Sequence, residues 1–139
     1  MERNKSLGLL AISRKGRNLV CGEEPVGSAA RANRARLVLL ASDAGGHTVR
    51  RAQSFVAGTA QPILTLPYGK DELGEALGVS SCAIAAIVDV RLAQAFGKTL
   101  GEPEKYASLL QELDVRVQRV EKRRAEEKAH RNNVRHGRK

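Results

Sequence analysis

Ser42, Asp43 and His47 lie close together in the chain and supply the residue types of a hydrolytic nucleophile and base. Ser42 lacks the glycine-flanked elbow that would hold such a nucleophile, so these residues read as a polar loop in which Asp43 or Thr48 caps the next helix. Glu72 and Glu75 stand three apart, the spacing of a solvated helix face more than of an acid/base pair. Gly45-Gly46 is followed by no Lys-Ser/Thr pair and is no phosphate-binding P-loop. His130 and His136 have neither cysteine nor acid at ligand spacing, and Cys21 and Cys82 are far apart with no CxxC. The expectation is two plain thiols, no metal, no cofactor and no enzyme.

The turn Val20-Cys21-Gly22-Glu23-Glu24 is more informative. Glycine lets the backbone pass close to a ligand, and the helix that follows presents free N–H groups that attract phosphate. Lys15 and Arg17, with Arg14, precede the turn, and Arg31 and Arg34 follow it. Glu24, Ser28 and Arg31 share one helical face at i, i+4, i+7. A basic rim around an amide-lined turn suits RNA. The plainer alternative is a solvated helix start with scattered charges.

Composition agrees with a polyanionic partner. The 139 residues carry 24 Lys and Arg against 15 Asp and Glu, a formal charge of +9. The aromatic residues are Phe55, Tyr68, Phe96 and Tyr106, too few for a platform that stacks bases, so binding must come from shape, backbone amides and charge. The longest apolar runs, Leu37 to Ala41 and Ala83 to Val88, are far below the ~20 residues of a bilayer span, and Leu7 to Ile12 is cut short by Ser13, Arg14 and Lys15. A cytosolic protein that avoids membranes is expected.

The elements that must position the turn follow from pattern. Asn4 is placed to cap a helix to about Arg14, and a strand Leu19 to Cys21 follows. Glu23, Glu24 and Pro25 have the composition of a helix first turn, and that helix should run to Asn33. Leu37 to Ala41 is continuously apolar, as in a central strand covered on both faces. A helix from Thr48 to Ala57, a strand Ile63 to Leu66, a helix from Asp71 to Leu77 stopped by Gly78, a strand Ala83 to Val88, and a helix capped by Asp89 complete the rhythm. The sum is an α/β fold, a three-layer α/β/α sandwich over residues 1–101.

Residues 102–139 read as a C-terminal helical basic extension, set off before Glu102 and Pro103. Tyr106, Leu110, Leu113, Val117 and Val120 fall at heptad spacing, and Leu109 widens the stripe. From Arg119 the stripe fails while Lys122, Arg123, Arg124, Lys128, Arg131, Arg135, Arg138 and Lys139 accumulate, the composition of a disordered tail. Such a tail serves as a sequence-indifferent RNA arm, or its stripe self-associates.

Four segments taken together resemble the L-seven-Ae/L-thirty-e ribosomal protein family: Gly22-Glu23-Glu24, Ala35 to Ala44, Leu73 to Val79, and Ala83 to Ile87. The resemblance spans Leu7 to about Lys98 and is nearest to the small bacterial YlxQ-type members. It implies a mixed four-stranded sheet and the binding of kink-turn or similarly bent RNA. By that resemblance the helix beginning at Gly22 enters the RNA groove, and the loop Val79-Ser80-Ser81-Cys82-Ala83 packs on an extruded nucleotide. The family's usual Asn, Glu and Lys are matched here by Glu24, Pro25 and Ser28, which leaves Arg31 and the tail to replace the lysine's charge.

The resulting expectation is a non-catalytic RNA-binding protein of the ribosome or its assembly, with rRNA or another structured RNA as partner. The alternative is an interaction or self-association module that has lost kink-turn recognition.

Overall fold

The computed structural model describes residues 3–101 and 104–136. The expected break before Glu102 and Pro103, and the terminal Arg138 and Lys139, lie outside the described residues. Ten elements follow one another: α1 (Arg3–Lys15), β1 (Leu19–Cys21), α2 (Glu23–Arg31), β2 (Leu37–Leu40), α3 (Gly46–Val56), β3 (Ile63–Thr65), α4 (Lys70–Leu77), β4 (Ile84–Ile87), α5 (Val90–Lys98) and α6 (Ala107–His136). The four strands form one sheet in the order β1-β4-β2-β3. The pair β2–β3 is parallel, with Val38 opposite Ile63, and the other two pairings are antiparallel, so the sheet is mixed.

The central strands are apolar at every position because both of their faces are covered. Side chains alternate across a strand, so Leu37 and Leu39 enter one layer and Val38 and Leu40 the other. The first layer packs them with Leu10, Leu73, Leu77, Phe96 and Leu113 from α1, α4, α5 and α6. The second packs them with Val26 and Ala52 from α2 and α3. This is the three-layer sandwich the periodicity predicts.

Caps differ from expectation in four places, the first being Asn4, which lies inside α1 because that helix already begins at Arg3. Asp89 caps α5 as anticipated, accepting hydrogen bonds from the amides of Arg91 and Leu92. Asp43 instead reaches across to α4 and accepts the Lys70 amide at 2.8 Å, while α3 starts on Gly45 without a side-chain cap. Thr48 is one turn inside α3 and turns its hydroxyl to another helix. At α4 the capping position is Gly69, and Asp71 sits in the first turn, where its charge still suits the dipole.

The extension departs most from the sequence reading. Tyr106, Leu113 and Val117 are buried, and Leu109 and Leu110 pack on the same core as the sheet. A Cβ on Gly97 would come within 2.9 Å of Leu110 Cδ2, so the glycine lets α6 lie close on α5. The stripe proposed for self-association is therefore covered within the monomer. Beyond Arg119 the backbone remains helical to His136 instead of passing into a disordered tail, with Lys122 and Glu126 paired one turn apart at 4.0 Å. The 30 residues of α6 measure about 45 Å, and every side chain from Glu121 to Arg131 is exposed.

Candidate nucleic-acid interface

Gly22 joins β1 to α2 at φ 99° and ψ 156°, a region closed to L side chains. A Cβ there would meet only Pro25 Cδ, at 3.6 Å, so backbone conformation and not crowding demands the glycine. Its N–H donates to the Ile84 carbonyl at 2.9 Å, and its carbonyl accepts the Val26 amide at 3.1 Å, the first bond of α2. Pro25 falls in the first turn, where an amide would have had no helical partner anyway. The tip of α2 is thus bonded to the first residue of β4, directly after the loop Val79–Ala83.

That loop is held from below. Val79 N–H donates to the Gly74 carbonyl and Cys82 N–H to the Lys70 carbonyl, both at 2.9 Å, while the Ala83 carbonyl accepts the Ala41 amide. Ser80 and Ser81 are exposed at its crest, and Val79 and Ala83 are half-buried. Cys82 does not belong to the surface. It is 4% exposed, its thiol donates to the Ile84 carbonyl, and burial, with the nearby Cys21, pushes its pKa from 9.0 to about 11. Its role is to anchor the loop, so direct contact with a ligand is excluded for its side chain.

The rim is basic on one side and of mixed charge on the other. On the first, Lys15 and Arg17 are exposed at the end of α1 beside a trough of about 610 Å³ that also borders Cys21, Pro25 and Gly78. Arg14 shares that trough but donates to the Leu77 carbonyl at 2.7 Å, closing the end of α4. On the second, Glu24, Ser28 and Arg31 line the outward face of α2 as their spacing predicts, all exposed.

The sequence did not reveal α3's part in the site. Glu23 accepts the Thr48 hydroxyl at 3.0 Å and faces Arg51 Nε at 3.4 Å, and Arg51 also stands 3.9 Å from Glu24. The same guanidinium lies 5.3 Å over the Phe55 ring. Glu23 is thereby a fixed strut between helices. A Cβ on Gly27 would strike Phe55 Cζ at 2.9 Å, so close packing brings Arg51 to the acidic tip. Twenty-five or more residues separate these partners, and no local spacing announces them.

Lys122, Arg123, Arg124, Lys128 and Arg131 are all exposed on α6, away from the tip. Among the described residues, no group of three His, Cys, Asp or Glu is arranged to hold a metal ion, and no helix is long and apolar enough to cross a membrane.

No family model matches the chain, and no curated protein matches it. Solved structures do. A protein with unknown function from Bacillus halodurans superposes with a TM-score of 0.64 at 28% identity, covering 70% of this chain and 98% of that one. The 15.5kD RNA binding protein of Giardia lamblia superposes with a TM-score of 0.56 at 19% identity, over 74% of this chain and 88% of its own. Both likenesses establish the fold: a mixed-sheet α/β sandwich shared across distant sequences.

Proposed function

We propose that this chain is a non-catalytic RNA-binding protein of the ribosome or its assembly, and that it grips a kink-turn or similarly bent RNA between the tip of α2 and the Val79–Ala83 loop. The observation that carries this reading is the hydrogen bond from Gly22 N–H to the Ile84 carbonyl, which places the helix tip and the loop side by side. Lys15, Arg17 and Arg31 flank them with exposed positive charge. The resemblance of the four sequence segments to the L-seven-Ae/L-thirty-e family and the fold shared with an RNA-binding protein support the same conclusion.

The chemistry is coherent. A kinked duplex displays base edges and splayed nucleotides that regular A-form RNA hides, and a narrow helix tip with a rigid serine-crested loop can reach them. Charge supplies affinity and shape supplies selection. The exposed cations of α6 add attraction that does not depend on sequence.

Gel-shift titration of the intact chain against a kink-turn duplex and an uninterrupted duplex of equal length tests this. Tighter binding of the bent RNA is expected, and Gly22→Val should abolish the preference, because no L side chain adopts that backbone conformation. Equal affinity for both duplexes across several salt concentrations overturns the reading.

A further inference from the structure

The opposite end of the sheet carries a second basic feature. At one end of β4 the Ile84 carbonyl bonds Gly22; at the other, the Ile87 carbonyl accepts the Arg36 amide at 2.8 Å. Beyond Arg36 lies a groove of about 550 Å³ walled by the end of α2, the approach to β3, the start of α5 and one face of α6. Arg36, Arg116, Arg119 and Arg123 line it, and no acidic side chain does.

Three of these arginines have no acidic partner among the described residues. Arg116 is committed, donating to Glu112 at 2.9 Å and to the Ala60 carbonyl across the groove. That bond pins α6 against the body and fixes the groove's width. Arg119 and Arg123 are exposed and Arg36 half-exposed, with no ion pair to any of them. Crowded guanidinium groups repel one another, so leaving three unpaired around one concavity costs stability unless an anion visits.

The shape indicates which anion. Arg116, Arg119 and Arg123 recur at i, i+3 and i+7, a row about 10 Å long on one helix face. At Arg123 the surface changes, because Arg123 also borders a shallower depression that it shares with Glu126, Glu127, His130 and Arg131. With Arg116 committed to Glu112, the free guanidinium groups are Arg119 and Arg123, about one turn apart on α6, and Arg36 on the body; three around one groove exceed what a single phosphate needs and suit consecutive phosphodiesters. Planar guanidinium forks grip such groups in pairs.

We infer that this groove is a second RNA-backbone site, at the pole opposite the Gly22 tip, and that the chain holds two RNA segments at once. The inference rests on the RNA-binding function proposed above. It adds a place, a ligand chemistry and three residues that neither the turn nor the loop contains.

The test uses the full chain and the two duplexes already described. Replacing Arg36, Arg119 and Arg123 together by Gln should lower the slope of log affinity against log salt by about 2 to 3 units, with at least a tenfold loss of affinity for both RNAs near physiological salt. The preference for bent over straight RNA should persist, since the tip is untouched. The Lys triple variant, which keeps the charge, should retain the slope. With one equivalent of unlabelled kink-turn RNA bound, a labelled straight duplex should still bind the unaltered chain and fail to bind the Gln triple variant. If the Gln triple variant keeps both slope and second duplex, the groove is overturned while the tip stands. If the unaltered chain binds neither RNA, the proposed function falls and takes the groove with it.

Discussion

Gly74 of α4 lies so close to Ser81 that a Cβ at position 74 would sit 2.8 Å from both the Cα and the N of Ser81. The contact is with backbone, which cannot swing aside as a side-chain end can. The glycine is therefore what allows the loop crest to rest on the helix, and the loop's height beside the Gly22 tip is set from beneath by α4.

Gly74→Ala should on this account push the crest away from its seat. Overpacking of this kind costs about 1–3 kcal/mol, less the small gain in helix propensity of alanine. A denaturant melt should show the loss, and a gel shift should show reduced preference for bent RNA with little change toward a straight duplex. An unchanged melt and preference would mean the loop has slack that the packing does not show.

The acidic strut at the tip yields a prediction of opposite sign for its two partners. Glu23→Gln keeps an oxygen for the Thr48 hydroxyl but removes a negative charge from the place where phosphate is expected, so RNA of any shape should bind a few-fold tighter. Arg51→Ala leaves Glu23 and Glu24 unbalanced, and affinity should fall by a similar factor with a salt slope shallower by about one unit. Both residues are about a third exposed, 39% for Arg51 and 32% for Glu23, so either change should move stability by no more than about 1 kcal/mol. Identical RNA affinities in the two variants would place the phosphates elsewhere.

These examples mark where sequence is readable. Leu37–Leu40 and Ile84–Ile87 announce themselves because an apolar run of strand length has one economical use, a strand covered on both faces. The Gly22 turn is equally legible, since composition and conformation are both local there. Arg51 is not, because its role depends on α3 crossing α2 at Gly27. Gln61 was missed for the same reason: buried, it accepts the Ala35 amide at 3.0 Å and donates to the Ala30 carbonyl, fastening the end of α2 to the approach to β3. The heptad stripe was visible, but its partner was not; nothing in Leu110 or Leu113 tells whether the surface they seek lies on another copy or on α5.

Cys82 makes stability depend on pH in a defined window. Its pKa is 9.0 when exposed and about 11 when buried, so the folded chain holds a proton that the unfolded chain releases. The stabilisation is complete below pH 9 and is lost as pH rises to about 11, amounting to roughly 2–3 kcal/mol over the interval. Comparing denaturant midpoints of the natural chain and Cys82→Ala at intervals of pH isolates this group from the lysines and tyrosines that titrate nearby. The difference between the two should shrink steadily above pH 9; a constant difference would show that the thiol is not shielded.

The covered stripe of α6 predicts how far the chain can be shortened. Leu113 is fully buried, and Leu113→Ala should cost about 2–5 kcal/mol through lost burial and the cavity left behind. A chain ended at Gly101 removes Tyr106, Leu113 and Val117 at once and bares Gly97, Phe96 and Leu100 to water, so its thermal midpoint should fall by far more than 10 °C or its unfolding lose cooperativity. A chain ended after Arg124 keeps every one of those contacts and should melt within a few degrees of the intact protein. If the Gly101 chain instead melts like the full one, α6 is an appendage after all, and the covering of its stripe contributes nothing to the fold.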